Sequence, residues 1–422
     1  MEYKKDTLKN GVRLLTVPMP HLGSVTAMIG FGAGSRYETK KTQGIAHFTE
    51  HMMFDGTERR PTTFEISSEL DALGAQFNAF TAQEMTAYYA KAAAKNLPQI
   101  LDILADMVFN SKFDPKEIER ESKVIIEELR MYKDEPKSWV YELYEGLIYG
   151  DHPLGRLILG TEETLAAISR EDFLAYLKQW YLSKNLVVAV AGKIGEEEAL
   201  EEIREVLGGL PAQDAGKPEP FKPSQKEPGI ILENRKTDQT HLILGARAYP
   251  RSHPQREALE VLVTILGGGM SSRLVEQIRV QRGLAYYVGA DWDNFSDAGS
   301  VVVSAGVNNQ KVDDVIQVAL EELAKLKEIR VEGKELQKAQ EMLRAHIVLG
   351  IESTNGACSY FITQEILDGK IDTPREKLAK IDAVTAEDVQ AVAREIFTTA
   401  GLNLALIGPF SEPERFRRLL RI

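Results

Sequence analysis

Apolar residues recur in two rhythms along the chain. Short runs such as 12–19 (VRLLTVPM), 24–35 (SVTAMIGFGAGS), 241–249 (HLILGARAY) and 300–307 (SVVVSAGV) have the length and composition of strands. Longer stretches with apolar positions three and four apart lie between them and predict helices. The fold class this predicts is α+β.

The pattern also repeats. Residues 165–194 (LAAISREDFLAYLKQWYLSKNLVVAVAGKI) match residues 381–410 (IDAVTAEDVQAVAREIFTTAGLNLALIGPF) at an ungapped offset of 216, about half the chain. Each copy places Ser or Thr ahead of an amphipathic helix with Asp three residues later (Ser169 and Asp172, Thr385 and Asp388), a capping-box arrangement. Each then runs into an apolar strand that ends in glycine, Gly192 or Gly408. A Pro-, Gly- and Lys-rich segment separates the halves and reads as a stiff linker. The predicted organisation is a first domain at 1–210, a linker at 211–229 and a similar second domain at 230–422.

One helical stretch breaks its own pattern. In residues 44–54, GIAHFTEHMMF, the cylinder is apolar except for His47, Glu50 and His51. Histidines four apart stack on one face, and Glu50 shares it. Burying two imidazoles and a carboxylate without partners is costly. A metal ion removes that cost: neutral imidazoles ligate Zn²⁺ well, and the neighbouring carboxylate can act as a base. His-x-x-Glu-His is the inverted form of the zinc-peptidase helix motif.

A catalytic zinc takes three protein ligands and keeps one position open. The helix predicted from Asp114-Pro115 to about Lys133 supplies a candidate for the third. Its stripe, Ile118, Glu121, Ile125, Glu128 and Tyr132, brings two glutamates onto the face expected to be buried. Glu128 is the expected third ligand, with Glu121 behind a histidine to orient it. Glu127, rotated about 100° away, is the alternative ligand.

Composition narrows the setting. The chain has 422 residues, 43% hydrophobic, and a net charge of −12, which argues against non-specific nucleic-acid binding. A single cysteine, Cys358, rules out an intrachain disulfide and is expected to be a small buried residue. No apolar run reaches the ~20 residues of a membrane span. The N-terminal segment has neither a signal-peptide core nor a transit pattern, so a cytoplasmic protein is expected, with no membrane or nucleic-acid partner. His21, His152, His241, His253 and His346 lack metal-ligand spacing.

His47-x-x-Glu50-His51 followed by Glu128, together with GAGSRYETKKTQGIAHFTEHMMFDGT, GAQFNAFTAQEMTAYYA and HPLGRLILGTEETL, resembles the pitrilysin/insulinase-type zinc metallopeptidases. Chain length and duplicated halves resemble their mitochondrial-processing-peptidase-like branch. The resemblance spans essentially the whole chain. It implies two similar domains, each a mostly antiparallel sheet flanked by helices. It also implies one Zn²⁺ per chain and a zinc metalloendopeptidase acting on extended or unfolded peptide. In the family's pattern Asn78, Ala79 and Phe80 form an edge strand that pairs with substrate backbone. The resemblance also implies that Arg279 and Tyr286, beyond the glycines 267–269, contact substrate near the zinc. The second half lacks the histidine motif. The expectation is therefore a homodimer in which Arg279 and Tyr286 complete the partner's site, or a heterodimer with a degenerate partner. Two alternatives remain: a non-catalytic scaffold or peptide-binding subunit on the same fold, and a zinc hydrolase acting on a non-peptide amide.

Overall fold

The structure, a computed structural model, describes residues 1–422, except for the side chains of Glu196, Glu198, Ala199, Leu200 and Glu202. Its contacts form two compact units. The first comprises Met1–Arg130, Leu157–Glu219 and Val348–Pro374; the second comprises Met131–Arg156, Pro220–Ile347 and Arg375–Ile422.

The first half of the chain contributes strands β1 (Lys4–Thr7), β2 (Arg13–Pro18), β3 (Ser24–Phe31), β4 (Gln76–Thr81), β5 (Thr86–Ala93) and β6 (Leu186–Gly192). Its helices are α1 (Ile45–Met52), α2 (Thr63–Ala72), α3 (Leu97–Asn110), α4 (Pro115–Asp134), α5 (Pro136–Tyr149), α6 (Glu162–Ala167), α7 (Arg170–Trp180) and α8 (Glu196–Leu207). The second half contributes strands β7 (Gly229–Asn234), β8 (Gln239–Arg247), β9 (Ala285–Asn294), β10 (Gly299–Asn308) and β11 (Leu402–Gly408). Its helices are α9 (Arg256–Gly267), α10 (Val312–Glu328), α11 (Gly333–Gly350), α12 (Thr354–Leu367), α13 (Pro374–Asp382), α14 (Ala386–Ile396) and α15 (Pro413–Arg417).

The two sheets have orders β1-β2-β6-β3-β5-β4 and β7-β11-β8-β10-β9. In each, one pair is parallel (β2 with β6, β7 with β11) and every other pair is antiparallel. Strands β2, β6, β3, β5 and β4 thus correspond in place and sense to β7, β11, β8, β10 and β9. The duplicated, mostly antiparallel α+β fold expected from the sequence is what is found. Both repeat copies fold as read: Ser169 and Asp172 form a capping box at α7, and Thr385 and Asp388 form one at α14. The strands that follow are β6 and β11, each buried along its whole length.

Pleating explains the layers. On β3, Val25, Ala27, Ile29 and Phe31 point to a cluster shared with α1 and α3, while Met28 points to the opposite cluster. On β6, Val188 and Val190 join the first cluster and Val187, Ala189 and Ala191 the second. A strand apolar on both faces needs a helix on each side.

The helix on the second face comes from far along the chain. Ala357, Cys358, Phe361 and Ile362 of α12 pack on the first sheet. Conversely, Val140, Tyr144 and Ile148 of α5 pack against Ile243, Ala405 and Ile407 of the second sheet. By position in the duplication, α5 and α12 are counterparts, and each serves the sheet of the other half. The compact units therefore depart from a contiguous division at 1–210 and 230–422 by these segments. Residues 211–228 form neither helix nor strand, and Gly229 already opens β7. Cys358 is fully buried, and burial pushes its thiol pKa well up, which makes it an inert packing residue.

Candidate metal centre

Helix α1 carries the histidines, and its start is fixed by its own sequence. Gly44 adopts φ +93°, and a side chain there would bring a Cβ within 2.7 Å of the Leu159 carbonyl oxygen. The Glu38 carboxylate accepts the backbone N–H groups of Gly44 and Ala46, each at 2.8 Å, placing a negative charge on the helix N-terminus. Ile45, Ala46, Phe48, Thr49 and Met52 are buried. That leaves His47, Glu50 and His51 facing α4.

Three ligand atoms converge there. His47 Nε2 lies 3.9 Å and His51 Nε2 3.8 Å from Glu128 Oε2, and the two imidazole centroids are 4.7 Å apart. One ligand atom from each residue can be chosen so that all lie within 4.8 Å of one another. Tetrahedral ligands at ~2.0–2.1 Å from a metal sit about 3.4 Å apart, so a modest inward closure of the trio suffices. The surroundings fit a metal. Burial first, and then the charge of His51, lowers the His47 pKa to about 4, which keeps that imidazole neutral. For His51, burial works downward, but the hydrogen bond to Glu121 and the carboxylates Glu128 and Glu50 outweigh it and raise the pKa. Among the described residues, this is the one His/Cys/Asp/Glu group with metal-binding spacing.

Glu121 approaches His51. Its Oε2 is 3.3 Å from His51 Nδ1. With Nδ1 donating that hydrogen bond, the Nε2 lone pair faces the site. The His51 hydrogen bond holds the Glu121 carboxyl below the usual range. Arg120 Nε donates to Glu121 Oε1 at 3.3 Å, and Arg120 Nη2 donates to Asp55 Oδ1 at 2.7 Å. Glu127 points elsewhere: it accepts from Arg130 at 2.7 Å and is largely exposed.

Part of the α4 stripe falls differently from the sequence reading. The buried positions are Ile118, Ser122, Ile125 and Leu129, whereas Tyr132 is 41% exposed. Glu121 and Glu128 flank that stripe, at the margin where the helix meets α1. The wrong end of the stripe followed from Tyr132 continuing the three-four spacing near the helix terminus.

Glu50 stands beside the ligands. Its pKa is raised chiefly by burial, against the opposing pull of Thr81 and His51. The Thr81 hydroxyl donates to Glu50 Oε2 at 2.6 Å. A cleft of about 360 Å³ adjoins, lined by Glu50, His51 and Glu121 and by Phe77 and Asn78 of β4. Strand β4 is the edge of its sheet, as expected for residues 78–80. Asn78 is exposed, Ala79 faces the core shared with α1, and Phe80 packs on the opposite side with the α12 cluster. Arg279 and Tyr286 belong to the second unit. Arg279 lies in a π-helical stretch, Val275–Val280, and Tyr286 lies in β9, 77% exposed.

Two contributors escaped the sequence reading, Glu38 and Thr81. Glu38 lies in the loop before α1 and Thr81 at the end of β4, and no periodicity marks either as a partner of α1.

The sequence model of the family described as insulinase (peptidase family M16) matches residues 15–162, and that of the peptidase M16 inactive domain matches residues 167–343. The chain belongs to the insulinase family. Among insulinase relatives, the Bacillus subtilis "uncharacterized zinc protease YmxG" is 36% identical over 406 residues, covering 96% of this chain and 98% of the relative. An "uncharacterized zinc protease" of Mycobacterium leprae is 35% identical over 421 residues, covering 99% and 94%. The insulinase-family fold recurs in solved structures. A protease from Helicobacter pylori superposes with a TM-score of 0.91 at 22% identity, over 97% of this chain and 99% of that one. A chain of complex III2 from Candida albicans superposes with a TM-score of 0.86 at 19% identity, over 99% and 100%.

Proposed function

We propose that the chain is a zinc-dependent endopeptidase that hydrolyses extended peptides or unfolded protein segments. The observation that carries this reading is the convergence of His47 Nε2, His51 Nε2 and Glu128 Oε2 beside Glu50. The zinc-protease names of relatives at about 35% identity support zinc over other divalent ions.

His47, His51 and Glu128 would hold one Zn²⁺ per chain. Bound there, it supplies Lewis-acid polarisation of water and of the scissile carbonyl. Glu50 takes the proton of the attacking water at its carboxylate and passes it to the leaving amine. Its burial-raised pKa suits a group that must both accept and return a proton. Glu121 fixes the His51 tautomer. Asn78, Ala79 and Phe80 would bind substrate main chain by strand addition at the β4 edge. That mode takes any side-chain sequence and demands an extended backbone.

The partner arrangement is part of the proposal. In a homodimer, the exposed Arg279 and Tyr286 of the partner subunit would complete each site; a heterodimer would use them in the same way. We place the enzyme in the cytoplasm. A single fully buried cysteine is in keeping with a reducing compartment, and no helix among the described residues is long and apolar enough to cross a membrane.

The test joins metal analysis to hydrolysis. The purified chain is expected to hold about one zinc per chain and to cleave a quenched, unstructured peptide in a chelator-sensitive way. Zinc without cleavage would leave the scaffold reading in its place.

A further inference from the structure

Thr81 ends the strand that would receive substrate, and its hydroxyl touches the base. Its Oγ donates to Glu50 Oε2 at 2.6 Å, a charge-assisted hydrogen bond in a half-buried setting. The bond occupies one of the two carboxylate oxygens.

The position of Thr81 is set by groups that have no part in metal binding. The turn after β4 closes through Ala82 N–H to the Met85 carbonyl at 2.8 Å. Two backbone bonds then pin that turn to residues 35–36: Ser35 N–H to the Ala82 carbonyl at 3.2 Å and Arg36 N–H to the Gln83 carbonyl at 2.9 Å. A buried ion pair, Arg36 Nη1 to Glu84 Oε1 at 2.7 Å, locks the same two segments; both side chains are under 5% exposed. The approach is so close that a Cβ on Gly34 would stand 2.0 Å from the Ala82 carbonyl oxygen. On its other flank, Thr81 is paired with Thr86, which is fully buried and donates to the Ala33 carbonyl at 2.9 Å. A hydroxyl held from both sides behaves as a fixed point for Glu50.

We propose that Thr81 is a positioning residue for the general base, holding Glu50 in one orientation and tying it to the substrate-binding strand. The inference rests on the peptidase reading above and adds to it a residue outside the motif. An unrestrained carboxylate would sample several rotamers, of which a fraction aim at the attacking water. The hydroxyl confines it to one.

Two substitutions separate this role from simple packing. Thr81→Val keeps the shape and removes the donor; Thr81→Ser keeps the donor and removes a methyl. With bound zinc checked in every variant, Thr81→Val is expected to lower kcat roughly 10- to 100-fold, the scale of a lost hydrogen bond to a charged group, at unchanged KM and zinc content. Thr81→Ser is expected to stay within about threefold of the parent. Crystal structures of both variants give a readout independent of turnover. The Glu50 carboxylate should lose its single position in Thr81→Val and keep it in Thr81→Ser, with His47, His51 and Glu128 unmoved in both. A Glu50 that holds its place in Thr81→Val, or a parent-like kcat in that variant, would overturn the inference. A parent chain that binds zinc but cleaves nothing would instead count against the peptidase reading, while the crystallographic comparison would still decide the role of Thr81.

Discussion

His51 Nδ1 faces Glu121 Oε2 at 3.3 Å, so one nitrogen of the ring is engaged from behind while the other looks toward Glu128. Partners of this kind fix both ring orientation and tautomer. Glu121→Ala is expected to weaken zinc binding roughly 10- to 100-fold without abolishing it. Competition against a chelator of known affinity measures the change; parent-like affinity would show that His51 needs no help.

Glu128 and its neighbour make a sharper contrast. Glu127 is spent on Arg130 and largely exposed, whereas Glu128 approaches both imidazoles. Glu128→Ala should lose zinc under conditions in which Glu127→Ala keeps it. Metal analysis after gel filtration reads this directly, and the reverse result would reassign the third ligand.

Glu50 is expected to be dispensable for metal and needed for turnover. Glu50→Gln should retain zinc while its kcat falls by roughly 10²- to 10⁴-fold, the usual contribution of general acid–base catalysis. A fully active Glu50→Gln enzyme would remove this residue from the chemistry.

Acid should release the metal in a particular way. His47, with a pKa of about 4 against its ordinary 6.5, is already unprotonated at neutral pH and offers its nitrogen freely. His51, whose pKa is raised, must shed a proton to bind. Between about pH 6 and pH 4.5, zinc affinity should therefore fall about tenfold per pH unit, one proton per metal, rather than the hundredfold of two ordinary imidazoles. In the metal-free chain, His47 has the opposite bearing on stability from His51. Its lowered pKa makes the unfolded chain bind the extra proton first, so stability is lost as pH falls from 6.5 toward 4. Buffered zinc titrations across this range give the slope.

Phe361 lies in the second half of the chain but packs, fully buried, against the first sheet, with Tyr3 at 4.9 Å between ring centroids. Phe361→Ala should cost about 3–5 kcal/mol, the range for large aromatic deletions in cores. The loss should appear in the unit that holds the histidines, as hydrogen exchange can resolve. A loss confined to the second unit would contradict the packing described.

The histidines were legible because four-residue spacing has a fixed meaning on a helix, and polar groups on an otherwise apolar cylinder stand out. Glu121 and Glu128 were legible from the same periodicity, though the stripe drawn through Tyr132 ran too far: near a helix end, spacing persists after burial has stopped. The duplication showed in two capping boxes and the strands after them. Glu38 and Thr81 were not legible, because Glu38 reaches the start of α1 through a turn and Thr81 meets Glu50 only where the end of β4 comes beside α1. Nor was the placement of α5 and α12. An amphipathic pattern announces that one face will be covered and is silent on which sheet will cover it.

That last feature bears on how the protein is made. The first sheet waits for α12 to close its open side, and residues up to Pro374 belong to the same unit. A nascent chain ending anywhere before α12 therefore exposes the apolar underside of β2, β3 and β6, and the histidine-bearing unit matures only once α12 has been made. Ribosome-held chains truncated at residue 347 should be digested readily by added protease, and full-length released chains should resist.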